Sequence, residues 1–290
     1  MAMPPGIGVI DLMMGLPAGD PRRWYEFLRP QLHDRESREE FEFPAQYMFK
    51  GVPKFDIPDD PARFLLEQMD RHGIERAMIG VSFEHEAAQR ALRDYPDRFF
   101  GSIEVDPNRG MDAVRDLQRA VEELGVKAAT AFPAGLLPQV PINDKKFFPL
   151  YAKCVELDIP ICVCAGVPGP RVPFAPQYVG LIDEVCWYFP ELKFVTRHGC
   201  EPWADLAAKL LLKWPNLYYS TSAFAPKYYP ADIVKYANTR GADKVMYAGY
   251  FPMGLSLDRI FKELPDVPFR DHVWPKFLRE NAIRVFKLQS

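Results

Sequence analysis

The sequence predicts an α/β protein: a (β/α)8 TIM barrel forming one domain over residues 1–290, with an insertion after the first strand. Short β-branched or apolar runs recur eight times, and segments with apolar residues at helical spacing separate most of them. Parallel strands need long crossover connections, which a repeated strand–helix alternation supplies. A chain of 290 residues is also an ordinary size for one such barrel.

In order, the strand candidates are Gly8–Asp11, Ala77–Val81, Gly101–Val105, Lys127–Phe132, Ile159–Ala165, Lys193–Arg197, Leu217–Ser220 and Lys244–Ala248. The helical patterns are Pro61–His72, Met111–Leu124, Phe147–Leu157, Val179–Phe189 and Pro202–Trp214, whose apolar residues recur at three- and four-residue spacing. Residues 17–58 break the alternation, mixing proline, aromatic and charged residues without a clear period. An insertion after strand 1 falls on the strand C-terminal face, where barrel active sites are built. It is expected to form a lid, one wall of a pocket or an oligomer contact.

Composition narrows the function classes. A formal charge of −3, with charged residues spread along the chain, offers no basic stripe for phosphates, so nucleic acid is not an expected partner. No apolar run approaches the length of a membrane span, and the N-terminus does not read as an export signal. The cysteines (Cys154, Cys162, Cys164, Cys186, Cys200) are odd in number and lie mostly in apolar stretches. That argues against a disulfide framework and fits a reducing cytoplasm.

Several stretches, in order, resemble the amidohydrolase-2 family of metal-dependent hydrolases and decarboxylases. They are Tyr95-Pro-Asp-Arg-Phe99, Glu104-Val-Asp-Pro107, His198-Gly199, Pro202-Trp203, Trp214-Pro-Asn-Leu-Tyr218, Thr221-Ser222 and Glu280-Asn-Ala282. The resemblance covers nearly the whole chain and supports the barrel. It implies one divalent metal, usually zinc, held by Asp-x-His-x-His at the end of strand 1, a histidine ending strand 5 and an aspartate after strand 8. A further histidine ends strand 6, and dimers are usual.

This chain departs from that pattern. Strand 1 reads Asp11-Leu-Met-Met-Gly15, so Asp11 matches while Met13 and Gly15 stand at the histidine positions. Cys164 replaces the strand-5 histidine, Tyr250 replaces the aspartate, and only His198 keeps its identity. A catalytic zinc needs about three nitrogen, sulfur or carboxylate ligands, whereas thioether and neutral phenol are poor ones. Cys164, His198 and Cys200 lack a first-strand partner, so no metal cofactor is expected.

The altered mouth should be apolar and aromatic, lined by Met13, Cys164, Tyr250 and His198, with Met14 turned toward the helices. His198 reads either as a general acid or base or as a residual histidine bonded to a backbone carbonyl. Tyr250 either bonds a substrate carbonyl or fills the vacated metal volume. Glu84 and His85 follow strand 2 as an acid–base pair or an entrance lining, and alternation admits only one of them to the pocket. Arg171 is placed for an anionic substrate or is a surface arginine, and Ser222 is a further substrate-binding candidate. Arg197 is expected to point away from the axis, opposite to His198. Cys164 with His198 resembles a nucleophilic dyad, but a buried strand cysteine is more often packing.

Two functions follow. The first is a divergent amidohydrolase-like hydrolase or carboxy-lyase acting without the metal on a small, partly apolar carboxylated or acyl substrate. It must then draw several kcal/mol of charge stabilisation from other donors. The alternative is a non-catalytic pseudoenzyme that binds a small molecule or partners a metal-bearing paralogue.

Overall fold

Eight parallel strands, hydrogen-bonded in sequence order, wind into a barrel with helices outside. The computed structural model describes residues 3–19 and 21–289. The strands are β1 Val9–Met14, β2 Ile74–Gly80, β3 Phe99–Glu104, β4 Ala128–Ala131, β5 Ile161–Cys164, β6 Phe194–Arg197, β7 Leu217–Ser220 and β8 Val245–Met246. The helices are α1 Pro61–Arg71, α2 Glu86–Asp94, α3 Met111–Leu124, α4 Phe148–Glu156, α5 Leu181–Tyr188, α6 Ala204–Lys213, α7 Ala231–Ala237, α8 Leu257–Glu263 and α9 Asn281–Phe286.

Local chemistry sets the boundaries. Asp60 caps α1 by accepting the Arg63 backbone N–H, with Pro61 at the first helical position, where its missing donor costs nothing. Gly125 ends α3 in the left-handed conformation. Helix α2 buries only Ala88 and Ala91. Helices α7, α8 and α9 are six or seven residues long, too short for a clear period.

Strand alternation divides the core in two. Ile10, Leu12, Met78, Phe100, Ala128, Cys162, Val195, Tyr218 and Met246 point into the barrel, where Val285 and Phe286 of α9 join them. Phe286 meets Phe100 edge-on at 5.8 Å, so α9 seals the N-terminal end of the barrel. A larger apolar layer lies between the strands and the outer helices. Side chains further along the inward rows can therefore face only the open C-terminal end.

Asp11 makes the seam between β1 and β8. Its Oδ1 accepts the backbone N–H groups of Met13 at 2.9 Å and Gly249 at 2.8 Å. The Gly15 N–H donates to the Phe251 carbonyl at 2.9 Å, extending the seam. Position 249 requires glycine, since a Cβ there would lie 2.6 Å from Asp11 Oδ2. Oδ2 itself has no partner, and the Tyr247 hydroxyl beside it has none either. Burial raises the Asp11 carboxyl from 3.8 to about 7, against the two backbone donors that favour its charged form.

Residues 17–58 form irregular 3-10 and π turns at Pro21–Gln31, Glu36–Glu40 and Gln46–Met48. They fold across the strand C-terminal end through a chain of aromatic contacts, Tyr25–Phe43 at 5.6 Å, Phe43–Phe49 at 5.8 Å and Phe49–Tyr250 at 5.4 Å. Arg171, in the loop after β5, clamps this insertion. It pairs with Asp34 at 2.6 Å and Glu36 at 2.7 Å, over the ring of Tyr47.

Asp11 gives the fold a testable pH dependence. Because its folded pKa lies above the unfolded one, the native state holds the proton more tightly between pH 3.8 and about 7. Its contribution to stability therefore falls as pH rises through that window, by up to roughly 4 kcal/mol. Asp11→Asn keeps the Oδ1 acceptor and removes the titration. Urea unfolding is expected to show the variant near wild type at pH 4 and more stable at pH 8; a wild-type advantage at pH 8 contradicts the assignment.

Candidate active site

The inward rows carry the site. Beyond the apolar floor, β2 contributes Gly80, β3 Ser102 and Glu104, β4 Thr130, β5 Cys164 and β6 Arg197, and Ser82 and Phe132 follow the ends of β2 and β4. Met13, Gly15, His198 and Tyr250 complete the rim of a cavity of about 1550 Å³. The insertion supplies its outer wall with Trp24, Tyr25, Phe27, Met48 and Phe49. The lining is mainly apolar and aromatic with a few polar groups, the usual makeup of a small-molecule pocket.

Arg197 corrects the expectation drawn from alternation. It was assigned outward because His198 was assigned inward, but Val195 and Arg197 continue the inward row of β6. His198 joins them because the strand ends there. Its φ is +64°, followed by +82° at Gly199 and +61° at Cys200, and this left-handed run swings the imidazole back toward the lumen. Gly199 is obligatory, since a Cβ would also lie 2.3 Å from the Phe224 ring.

The Arg197 guanidinium crosses the lumen from β6 to β1, strands that are not neighbours in the barrel. Its Nη2 donates to the Met13 thioether sulfur at 2.9 Å, and its Nε has no partner. A thioether is a weak acceptor, so the cation is poorly satisfied by protein. Its charge reaches the whole rim. Burial holds the Cys164 thiol up at about 11 and the Tyr250 phenol up at about 12, and in both cases Arg197 opposes the rise. Burial likewise raises the Glu104 carboxyl, and Arg197 again lowers it.

Glu104 faces the cavity from the end of β3 and was not singled out as a site residue from the sequence. The signal was there: Phe100, Ser102 and Glu104 alternate along one face of the strand. Its side chain opens onto the cavity, and desolvation there raises its pKa above that of an ordinary glutamate, a direction suited to proton transfer.

His198 is held by Ser222. The buried Ser222 hydroxyl accepts the His198 backbone N–H at 3.0 Å and lies 3.2 Å from Nδ1. We assign the tautomer in which the Ser222 hydroxyl donates to Nδ1 and the ring proton lies on Nε2. Burial, then the neighbouring Arg197 charge, pushes the imidazole down to about 3. His198 is thus neutral and acts as a hydrogen-bond donor, with its ring edge-on to Tyr250 at 5.5 Å. Ser222 does not line the cavity and works through His198.

The structure brings together Met13, Cys164, His198, Tyr250 and His85 and leaves out the other expected residues. His85 lines the cavity, where burial lowers its pKa, while its neighbour Glu84 is exposed outside. Arg171 is not at the cavity; Asp34 and Glu36 take the place foreseen for an anionic substrate. The Tyr250 hydroxyl lies near that of Tyr25 in the insertion, and its ring stacks on Phe49. The five cysteines are free and buried.

These residues do not fit a divalent metal. A Cβ at Gly15 would lie 2.6 Å from Met253 Sδ and 3.0 Å from Pro252 Cδ, so the space for a second strand-1 ligand is filled. The Met13 sulfur already accepts from a guanidinium, and Cys164 and Tyr250 hold their protons. Among the described residues no group of three or more His, Cys, Asp or Glu is arranged to hold a metal.

The chain matches the Amidohydro_2 family, described as amidohydrolase, over residues 10–288. It belongs to this amidohydrolase family. Its fold is similar to that of an uncharacterized TIM-barrel protein from Bordetella bronchiseptica, with TM-score 0.73, 21% identity and coverage of 97% of this chain and 98% of that one. It is also similar to 5-carboxyvanillate decarboxylase from Novosphingobium aromaticivorans, with bound manganese and a nitrobenzoic acid (TM-score 0.69, 18% identity, 98% of each chain). A curated relative, 2-keto-4-carboxy-3-hexenedioate hydratase from Sphingobium sp., is 27% identical over 127 residues. That match spans 38% of this amidohydrolase chain and 37% of the hydratase. No helix among the described residues is long and apolar enough to cross a membrane.

The assigned state of His198 has a direct check. Nitrogen-15 NMR is expected to show a neutral imidazole protonated on Nε2 from pH 8 down to pH 5, with no titration step. In Ser222→Ala the tautomer signature is expected to change. An imidazolium forming near pH 6.5 in the wild type contradicts the assignment.

Proposed function

We propose that this amidohydrolase-family protein is a carbon–carbon lyase that decarboxylates small aromatic or conjugated carboxylic acids without a divalent metal. One observation carries the reading: Glu104, a carboxyl open to the cavity, faces an under-satisfied cation across an aromatic-walled cavity. The carboxylated aromatic compound named for the Novosphingobium neighbour supports the substrate class. The free, buried thiols suit a reducing cytoplasm.

The residues divide the work. A flat acid enters between Phe49, Trp24 and Phe132, which exclude water from its ring. His198 Nε2–H and the protonated Tyr250 hydroxyl donate to oxygens of the substrate as charge develops there. Glu104 gives its proton to the carbon that bears the carboxylate; the carbon–carbon bond then breaks, its electron pair returns to that carbon, and CO2 leaves. Glu104 regains a proton from solvent, so one proton is consumed per CO2 released.

Assay of a panel of hydroxylated benzoic acids and conjugated dicarboxylic acids, read by CO2 release and by deuterium incorporation in D2O, tests this. Glu104→Gln is expected to lower kcat by about 10²- to 10⁴-fold while binding persists. Addition of water to a conjugated acid would assign a hydratase instead. Binding with no conversion in the wild type would support the non-catalytic reading.

A further inference from the structure

We infer that the Arg197 guanidinium is a built-in cation standing where an amidohydrolase holds its metal, and that it receives the ligand's carboxylate directly as a two-point anion site. The inference rests on the carboxylated-substrate reading for its ligand class, but stands on its own geometry.

The placement comes first. Arg197 leaves β6 beside Cys164, with which it is register-paired, and ends at Met13 on β1. Met13, Cys164 and Tyr250 stand where the family's metal ligands are expected, and the one positive charge in their midst acts electrostatically on Cys164, Tyr250, His198 and Glu104. A divalent ion there would meet a resident cation and two protonated groups.

The guanidinium's unfilled valences come second. Its only hydrogen bond to protein among the described residues goes to a thioether, Nε is unpartnered, and no carboxylate lies within the 4.0 Å of an ion pair. Arg171, in the loop after β5, shows the contrast: two carboxylates at 2.6 and 2.7 Å neutralise it. A half-buried charge with a buried, unpartnered Nε is poorly solvated, and a planar fork of donors matches a carboxylate in bidentate fashion. Glu104 faces the same cavity without closing on Arg197, which leaves the cation for a ligand.

The chemistry differs from that of a metal. A guanidinium stays charged across the working pH range, cannot be chelated and does not generate hydroxide. It recognises a planar monoanion by shape and charge, so a carboxylate should be distinguished from its neutral amide.

Calorimetry with benzoate and benzamide, on EDTA-treated wild type, Arg197→Met and Arg197→Lys, tests the inference; thermal melts confirm that each variant folds. The expected result is benzoate binding in the wild type without metal, at least a hundredfold weaker in Arg197→Met and intermediate in Arg197→Lys, with benzamide indifferent to both. Should Arg197→Met not fold, Arg197→Lys decides alone, by retaining charge while losing the fork. Benzoate that binds no better than benzamide, or that binds only after manganese or zinc is added, overturns the inference. Benzoate binding through Arg197 without CO2 release from any acid leaves the inference standing and removes the lyase reading. CO2 release undiminished in Arg197→Met does the reverse.

Discussion

A single side chain sets the electrostatics of this barrel. Arg197 spans the lumen to a thioether, and Cys164, Tyr250, His198 and Glu104 all take their states from desolvation together with that charge. His198 is neutral because an imidazolium beside a guanidinium in a dry site is doubly disfavoured. Glu104 feels opposite pulls, desolvation toward its acid form and Arg197 toward its anion, with the first the larger. Removal of the charge would free the thiol and phenol to rise further and leave the barrel lumen without its crossing cation.

The barrel rim is built to hold that arrangement. Asp11 ties the end of β1 to Gly249, fixing the row on which Met13 stands. On the opposite side, three successive left-handed residues and the Ser222 hydroxyl turn His198 into the lumen beside Arg197. The insertion covers the open end through Phe49 and Tyr25, both of which contact Tyr250, so the residue at the former aspartate position links the lid to the floor. These supports store unfavourable terms, the unpartnered Asp11 oxygen and the left-handed backbone, at the functional end of the molecule.

The barrel was legible because its signal is repeated: eight apolar runs separated by crossovers leave few alternative topologies. Short helices such as α7, α8 and α9 escaped because six or seven residues carry no clear period. At the site, the residue types at Met13, Cys164 and Tyr250 were readable from the family pattern, and so was the poverty of donors. Arg197 was misread for a definite reason. Alternation was counted back from His198 as though the strand continued, whereas the backbone at His198 is left-handed and the period ends at Arg197. Counting forward from Val195, and from Phe100 to Glu104, would have found both groups. The bonds of Arg171 to Asp34 and Glu36 join segments far apart in sequence, and no local pattern announces them.

The most direct measurement is a crystal structure grown with both manganese chloride and benzoate, with diffraction collected where manganese scatters anomalously. The account requires benzoate oxygens on the Arg197 guanidinium and no anomalous peak among Met13, Cys164, His198 and Tyr250. A manganese ion in that space, with Arg197 displaced from Met13, would contradict it.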